Sequence, residues 1–238
     1  MLLTASASRR RFFGRVLGAA AFSSAPLALV TLAEGQQLNT TPDWLTASKG
    51  TRRALFDFPQ HKNGVPLLHI LNYLNTYSTA YKTAPGTVSA VGTFYGIGPQ
   101  SSIALAFNDA MWTKYALGEY LGLKDTSGKP YTRNVFNRPT KDELPLLMQA
   151  MGTPTIPMFA DAMPGIGIEN LQKMGTTFLL CANAFGAWCA ELESRGKGKA
   201  AALDQELRAN LLPGVVIVPA MVIAIEEAQR AGMTYNRQ

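Results

Sequence analysis

The chain has 238 residues, 47% of them hydrophobic and 16% charged, a globular composition with enough length for one substantial core. Its formal charge is +6, but Arg9, Arg10, Arg11 and Arg15 sit in an acid-free stretch over 1–33, and removing those four leaves +2 for the remainder. A near-neutral body with no basic stripe argues against nucleic acid as a partner, and no repeat period or low-complexity tract divides the chain.

Residues 1–33 read as an address. A polar start ends in arginines, a mildly apolar run follows from Val16, and small residues close it at Thr31-Leu32-Ala33. This is the layout of a secretory signal. Ser8-Arg9-Arg10-Arg11-Phe12-Phe13 fits the twin-arginine pattern. The run is rich in Ala and interrupted by Gly18, Ser23, Ser24 and Pro26, whereas a spanning helix wants roughly 20 predominantly apolar residues. Cleavage after Ala33, use of the twin-arginine export machinery, a periplasmic location and no stable membrane anchor are expected.

Residues 34–50 look irregular, and 51–238 form the expected single domain. Arg53–Pro59 reads as a short strand stopped by proline. Gly64–Tyr81 has apolar residues at helical spacing, and Thr87–Tyr95 is a strand bounded by glycines. Ile103–Leu121 reads as one long helix ended by Gly122. Residues 124–164 carry six prolines and little pattern beyond a short helix at Leu144–Met151. A loop this long is expected to be functional or part of an interface. Then follow a helix (Ile166–Met174), a strand (Thr176–Leu180), helices at Ala182–Ser194 and Leu203–Asn210, a strand (Gly214–Val218), a helix (Ala220–Ala231) and an edge strand at Met233–Tyr235. Strands alternate with helices and are uniformly apolar, as in a parallel sheet covered on both faces. The expected fold is α/β: one open, mostly parallel sheet of about five strands with helices on both faces, layered as in flavodoxin.

That fold singles out Cys181. Ligands of open parallel sheets gather outside the carboxyl ends of the strands, and Cys181 stands where the strand TTFLL meets the helix ANAFGAWCAEL. A thiol there faces unpaired amide hydrogens and the positive end of a helix dipole, the setting of nucleophilic or sulfur-carrying cysteines. The alternative is plain packing, since free cysteine is among the most buried residue types. Cys189, mid-helix beside Trp188, reads as core. Eight residues apart on one helix, the two would be about 12 Å apart, beyond the roughly 7 Å that a disulfide allows, so both thiols are expected free.

The order of elements and the segment FLLCANAF resemble the DsrE/DsrF-like superfamily, which includes sulfur-relay proteins. LLHILNYLNTY, ALAFNDAMWTKY and GVVIVPAMVIAIEEAQRAGMTY are similar to an exported, twin-arginine branch of it, and the likeness covers most of residues 52–236. The resemblance implies that Cys181 occupies the position that carries persulfide in relay members. It also implies a homo-oligomer and a sulfur-donor or acceptor protein as partner. The chain departs from relay members in its export signal and in the 124–164 insertion.

The turn Tyr95-Gly96-Ile97-Gly98-Pro99-Gln100-Ser101-Ser102 joins a strand to a helix. Gly96 and Gly98 there could cradle a phosphate on backbone amides, with Ser101 and Ser102 lining a pocket shared with Cys181. Ser101 stands where the dinucleotide fingerprint has its third glycine, so a plain turn is the competing reading and a nucleotide or flavin site the weaker one. No cofactor is expected. His61 lies in an expected exposed loop. His69, in the first helix, reads as core, or as a base for Cys181 if it faces the sheet rim. Neither histidine has metal-ligand spacing, and no Gly-x-Ser-x-Gly elbow supports hydrolase chemistry. Asp109 and Lys114 read as a solvated helix face. A non-catalytic periplasmic binding or assembly protein is the alternative to sulfur handling.

Overall fold

The computed structural model describes residues 42–238. The expected export signal over 1–33, and residues 34–41, lie outside the described residues. Five strands, β1 (Arg52–Asp57), β2 (Val88–Phe94), β3 (Thr176–Cys181), β4 (Val215–Val218) and β5 (Thr234–Arg237), pair in the order β4-β3-β2-β1-β5. Every pairing is parallel. The sheet is open and the fold is α/β, as the alternation of strand and helix implies.

Alternate residues of β1, β2, β3 and β4 serve two separate cores. Ala54, Phe56, Ala90, Phe94, Phe178 and Leu180 point to a first face, and Leu55, Val91, Leu179, Cys181 and Val218 to a second. The first face is covered by α2 (Val65–Thr79), α6 (Ile168–Lys173), α7 (Ala182–Ser194) and α8 (Ala200–Ala209). The second is covered by α9 (Met221–Arg230) and by α1 (Asp43–Ala47), which buries Trp44 and Leu45. Residues 43–47 are thus a helical cap on the second core rather than part of an irregular arm.

Local chemistry explains the helix borders. In α2, Leu67, Ile70, Leu71 and Leu74 form one buried stripe, and Pro66 sits in the first turn where its missing N–H costs nothing. The single long helix expected over 103–121 is broken into a 3₁₀ turn (Ile103–Ala106), α3 (Asp109–Tyr115) and α4 (Leu117–Tyr120). Side chains take the carbonyls that a continuous helix would use. Trp112 Nε1 donates to Ala104 O at 3.0 Å, and Asn134 Nδ2 donates to Leu105 O at 2.9 Å and Phe107 O at 2.8 Å. Asn108 then caps α3, its Oδ1 accepting from Met111 N at 3.2 Å. Ala116 takes a left-handed φ of 50° and ends α3.

The proline-rich 124–164 stretch is not a structureless loop. It holds α5 (Leu144–Ala150) and leads into a 3₁₀ run over Pro157–Ile166. It buries Val135, Phe136, Leu144, Leu147 and Met163 in the first core. Its outer surface leaves Met151, Ile156, Met158 and Phe159 exposed.

At the centre of the sheet the rings of Phe94 and Phe178 stack with centroids 5.0 Å apart and planes within 1°. Gly92 makes room for that stack. A Cβ there would lie 2.6 Å from Phe178 Cε1, inside any tolerable contact. Gly92→Ala is therefore expected to lower stability by about 1–3 kcal/mol, read as a lower urea midpoint with an unchanged slope. An unchanged midpoint would mean the ring relaxes freely and the packing argument fails.

Candidate functional site

Cys181 is the last residue of β3 and the N-cap of α7. Its side chain turns to the second face and is 4% exposed. The sulfur accepts two backbone hydrogen bonds, from Ala184 N at 3.4 Å and from Met221 N at 3.3 Å. The first donor belongs to the opening turn of α7 and the second is the first residue of α9. Two helix amino ends, on opposite faces of the sheet, converge on one sulfur. The sulfur thus serves as an acceptor for two helix-opening amides that would otherwise lack partners. Val222 and Ile223, next to Met221, are exposed. Cys189 differs. It is buried in the first core, unpaired like Cys181. Burial, with Asp204 nearby, pushes its thiol up to about 12.

The turn Gly96–Ser102 follows β2, the neighbour of β3, and Tyr95 lies beside Cys181 in register, since Leu180 pairs with Phe94. Gly96 and Gly98 take φ of 97° and 84°, which explains glycine at both places. The anion position at Gly98 is filled by the protein itself. Gly98 N donates to Glu191 Oε2 at 2.8 Å, and the same carboxylate holds Arg195 and the Tyr120 hydroxyl. Ser102 Oγ accepts from Tyr95 N at 3.2 Å and works as a brace for the turn. Ser101 is buried with no partner for its hydroxyl among the described residues. Gly96, Gly98, Ser101 and Ser102 are thus brought together at the carboxyl rim, as an internally tied turn.

The histidines exchange their expected places. His61 is 2% exposed, packed against Phe136 and bound to the turn. Its Nδ1 accepts from Asn63 N at 3.1 Å, which leaves Nε2 to donate to Pro99 O at 3.2 Å. His69 is exposed on α2 and hydrogen-bonds Gln238 beyond β5. It lies on the opposite face from Cys181, with β2 and β1 between β3 and the β5 edge, so the structure does not bring it to the thiol. Asp109 is exposed, as a solvated helix face implies, and its Oδ1 also accepts from Asn134 N at 2.9 Å. Lys114 pairs with Glu206 at 2.6 Å on the surface.

One cluster escaped the sequence reading. Asp57, at the end of β1, is buried and in no ion pair among the described residues. Its carboxylate accepts from Tyr95 Oη and Tyr235 Oη, each at 2.7 Å, and from Thr93 Oγ1 at 3.4 Å. Burial and then the bond to Asp57 raise the Tyr95 pKa well above its ordinary value, so that phenol stays a donor. Tyr95 therefore links this carboxylate to the second-face core that holds Cys181. The only sequence signal was a polar residue closing each apolar run, Asp57 after LF and Tyr95 after TF.

Among the described residues no group of three or more His, Cys, Asp or Glu is placed to hold a metal ion, and no helix is long and apolar enough to cross a membrane. The chain matches no protein-family model, no curated protein and no solved structure.

Burial lowers the His61 pKa, only partly offset by its bond to Pro99. The folded protein then binds this proton less readily than the unfolded chain. Stability from this group is present above the unfolded value and is lost as pH falls below about 6.5. Tm is expected to drop by roughly 2 °C or more between pH 7.5 and 5.5, and His61→Gln, which keeps one donor and one acceptor, should flatten that drop. Equal slopes for both proteins would assign the pH dependence elsewhere.

Proposed function

We propose that this protein accepts and hands on sulfur through Cys181. The observation that carries the reading is the sulfur held by Ala184 N at 3.4 Å and Met221 N at 3.3 Å. Two donors aimed at one sulfur suit an atom that spends time as an anion. With a polysulfide as donor, the Cys181 thiolate attacks a sulfane sulfur. A bond forms between Sγ and that sulfur, the adjacent S–S bond breaks, and the shorter polysulfide leaves with its electron pair. Cys181 then carries a terminal persulfide sulfur, and no further oxidant is required. A thiolate on an acceptor reverses the process. The likeness to DsrE/DsrF-like proteins supports this reading, and with it periplasmic export, a homo-oligomer and a protein partner that gives or takes the sulfur.

A second reading is a binding or assembly protein in which Cys181 only packs. The 4% exposure of Cys181 favours it, since a nucleophile must be reached.

Intact-mass measurement after polysulfide treatment at neutral pH decides between them. The wild type is expected to gain one sulfur, removable by dithiothreitol. Cys189→Ser is expected to behave the same, and Cys181→Ser to gain none. No gain in the folded wild type, or a gain that survives in Cys181→Ser, would leave the packing reading standing.

A further inference from the structure

Methionine is concentrated in one part of this chain. Four of its nine, Met148, Met151, Met158 and Met163, fall within residues 148–163 of the proline-rich stretch. Three of these, Met148, Met151 and Met163, line one cavity of about 20 Å³.

The local structure brings them together. Met148 lies in α5, and Met151 continues its last turn, with φ −82°, ψ −2° and its N donating to Leu147 O at 3.2 Å. Three residues apart on a helical turn, the two side chains share a face. Met163 comes from the 3₁₀ run Pro157–Ile166, which packs against α5. Met148 and Met163 are buried, whereas Met151 is 45% and Phe159 37% exposed. The cavity is therefore closed toward the core and reached from the surface past these last two, which also line it.

The lining is uniform except for its sulfur. It contains no charged or polar side chain and turns no polar atom inward. The volume is about the room one water needs, but a buried water also wants roughly two to four polar partners and has none here. Methionine, flexible and unbranched, ordinarily fills irregular gaps. Here three methionines border a cavity instead, and the same flexibility lets each thioether turn into it. An atom-sized guest would meet soft sulfurs and the ring of Phe159. That set discriminates among ions. Ca²⁺ and Mg²⁺ take oxygen ligands, and Zn²⁺ takes thiolate, imidazole or carboxylate, none of which lines the cavity. Thioethers select Cu(I), and an aromatic face attracts a desolvated cation.

We propose that this cavity binds one Cu(I) ion through the thioethers of Met148, Met151 and Met163, with the ring of Phe159 against the ion. All of these groups are neutral, so binding releases no proton and the ion keeps its single charge. The site is separate from the sulfur chemistry, since its methionines pack in the first core and Cys181 in the second.

Silver(I), a redox-inert ion with the same preference for soft ligands, is the first probe. Wild-type protein carrying ¹³C in its methionine methyl groups is titrated with Ag(I) at pH 7.5 and at pH 5.5. Three methionine methyl signals are expected to shift together and saturate as one site. The signal of Met158, 79% exposed and outside the lining, should stay in place. Cu(I) added without oxygen should move the same three signals, and Zn²⁺ none. The affinity should change by less than about twofold between the two pH values, because thioethers do not titrate, whereas a metal held by thiolate or imidazole weakens as pH falls. Met151→Leu, a volume-conserving change at an exposed position, should weaken binding by about tenfold or more, and Met158→Leu should leave it unaltered. The wild-type titration stands without any variant. Absence of methionine shifts, a shift of Met158 along with the rest, uptake by the cysteines alone, or unchanged affinity in Met151→Leu would overturn the proposal.

Discussion

A single sulfur ties the two layers of this protein together. Cys181 Sγ accepts from α7, which packs on the first face, and from α9, which packs on the second. β3 is an interior strand, flanked by β2 and β4. The end of that strand sets where both helices begin, and the thiol supplies an acceptor to each. A helix leaves its first amides without intrahelical partners. Here one atom answers for two such amides, so the geometry that would activate the thiol is also a capping interaction of the fold.

The neighbouring chemistry is tied down in the same way. The glycine turn after β2 resembles an anion cradle in shape, yet Glu191 supplies the anion from within the chain. The turn is further braced by Ser102 and by His61. Asp57 finds its donors in Tyr95, just after β2, and Tyr235, in β5, the two strands that flank β1. Most polar groups of the carboxyl rim are therefore satisfied from within the chain, the buried Ser101 hydroxyl excepted. Across the sheet, a groove between α2 and β5 is lined by Tyr73 and Tyr77 and leaves Tyr81 exposed.

Much of this was legible in the sequence where a local pattern decides the structure. The stripe Leu67, Leu71 and Leu74 announced α2, and the apolar runs Arg53–Pro59, Thr87–Tyr95, Thr176–Leu180 and Gly214–Val218 announced the strands. The cysteine at a strand–helix joint pointed to the rim before any coordinates. What the pattern could not carry were contacts between distant residues. Trp112 and Asn134 break the 103–121 helix by taking its carbonyls, and neither act is visible in hydrophobic spacing. His61 and His69 exchange burial because the 124–164 stretch folds over the first and the sheet edge leaves the second open. Asp57, Tyr95 and Tyr235 stand 38 and 178 residues apart in pairs, and only parallel strand pairing assembles them.

The central claim is that Cys181 is a working thiol held in place, and not a sealed one. Residue-resolved iodoacetamide labelling of the folded protein at neutral pH, followed across low urea concentrations, tests this most directly. The account predicts that Cys181 labels in the native state, far faster than Cys189, at a rate that hardly changes until the unfolding transition. Local opening beside the exposed start of α9 would suffice for that. If both cysteines label together, and only as fast as the whole domain unfolds, Cys181 is core and the sulfur-handling account is contradicted.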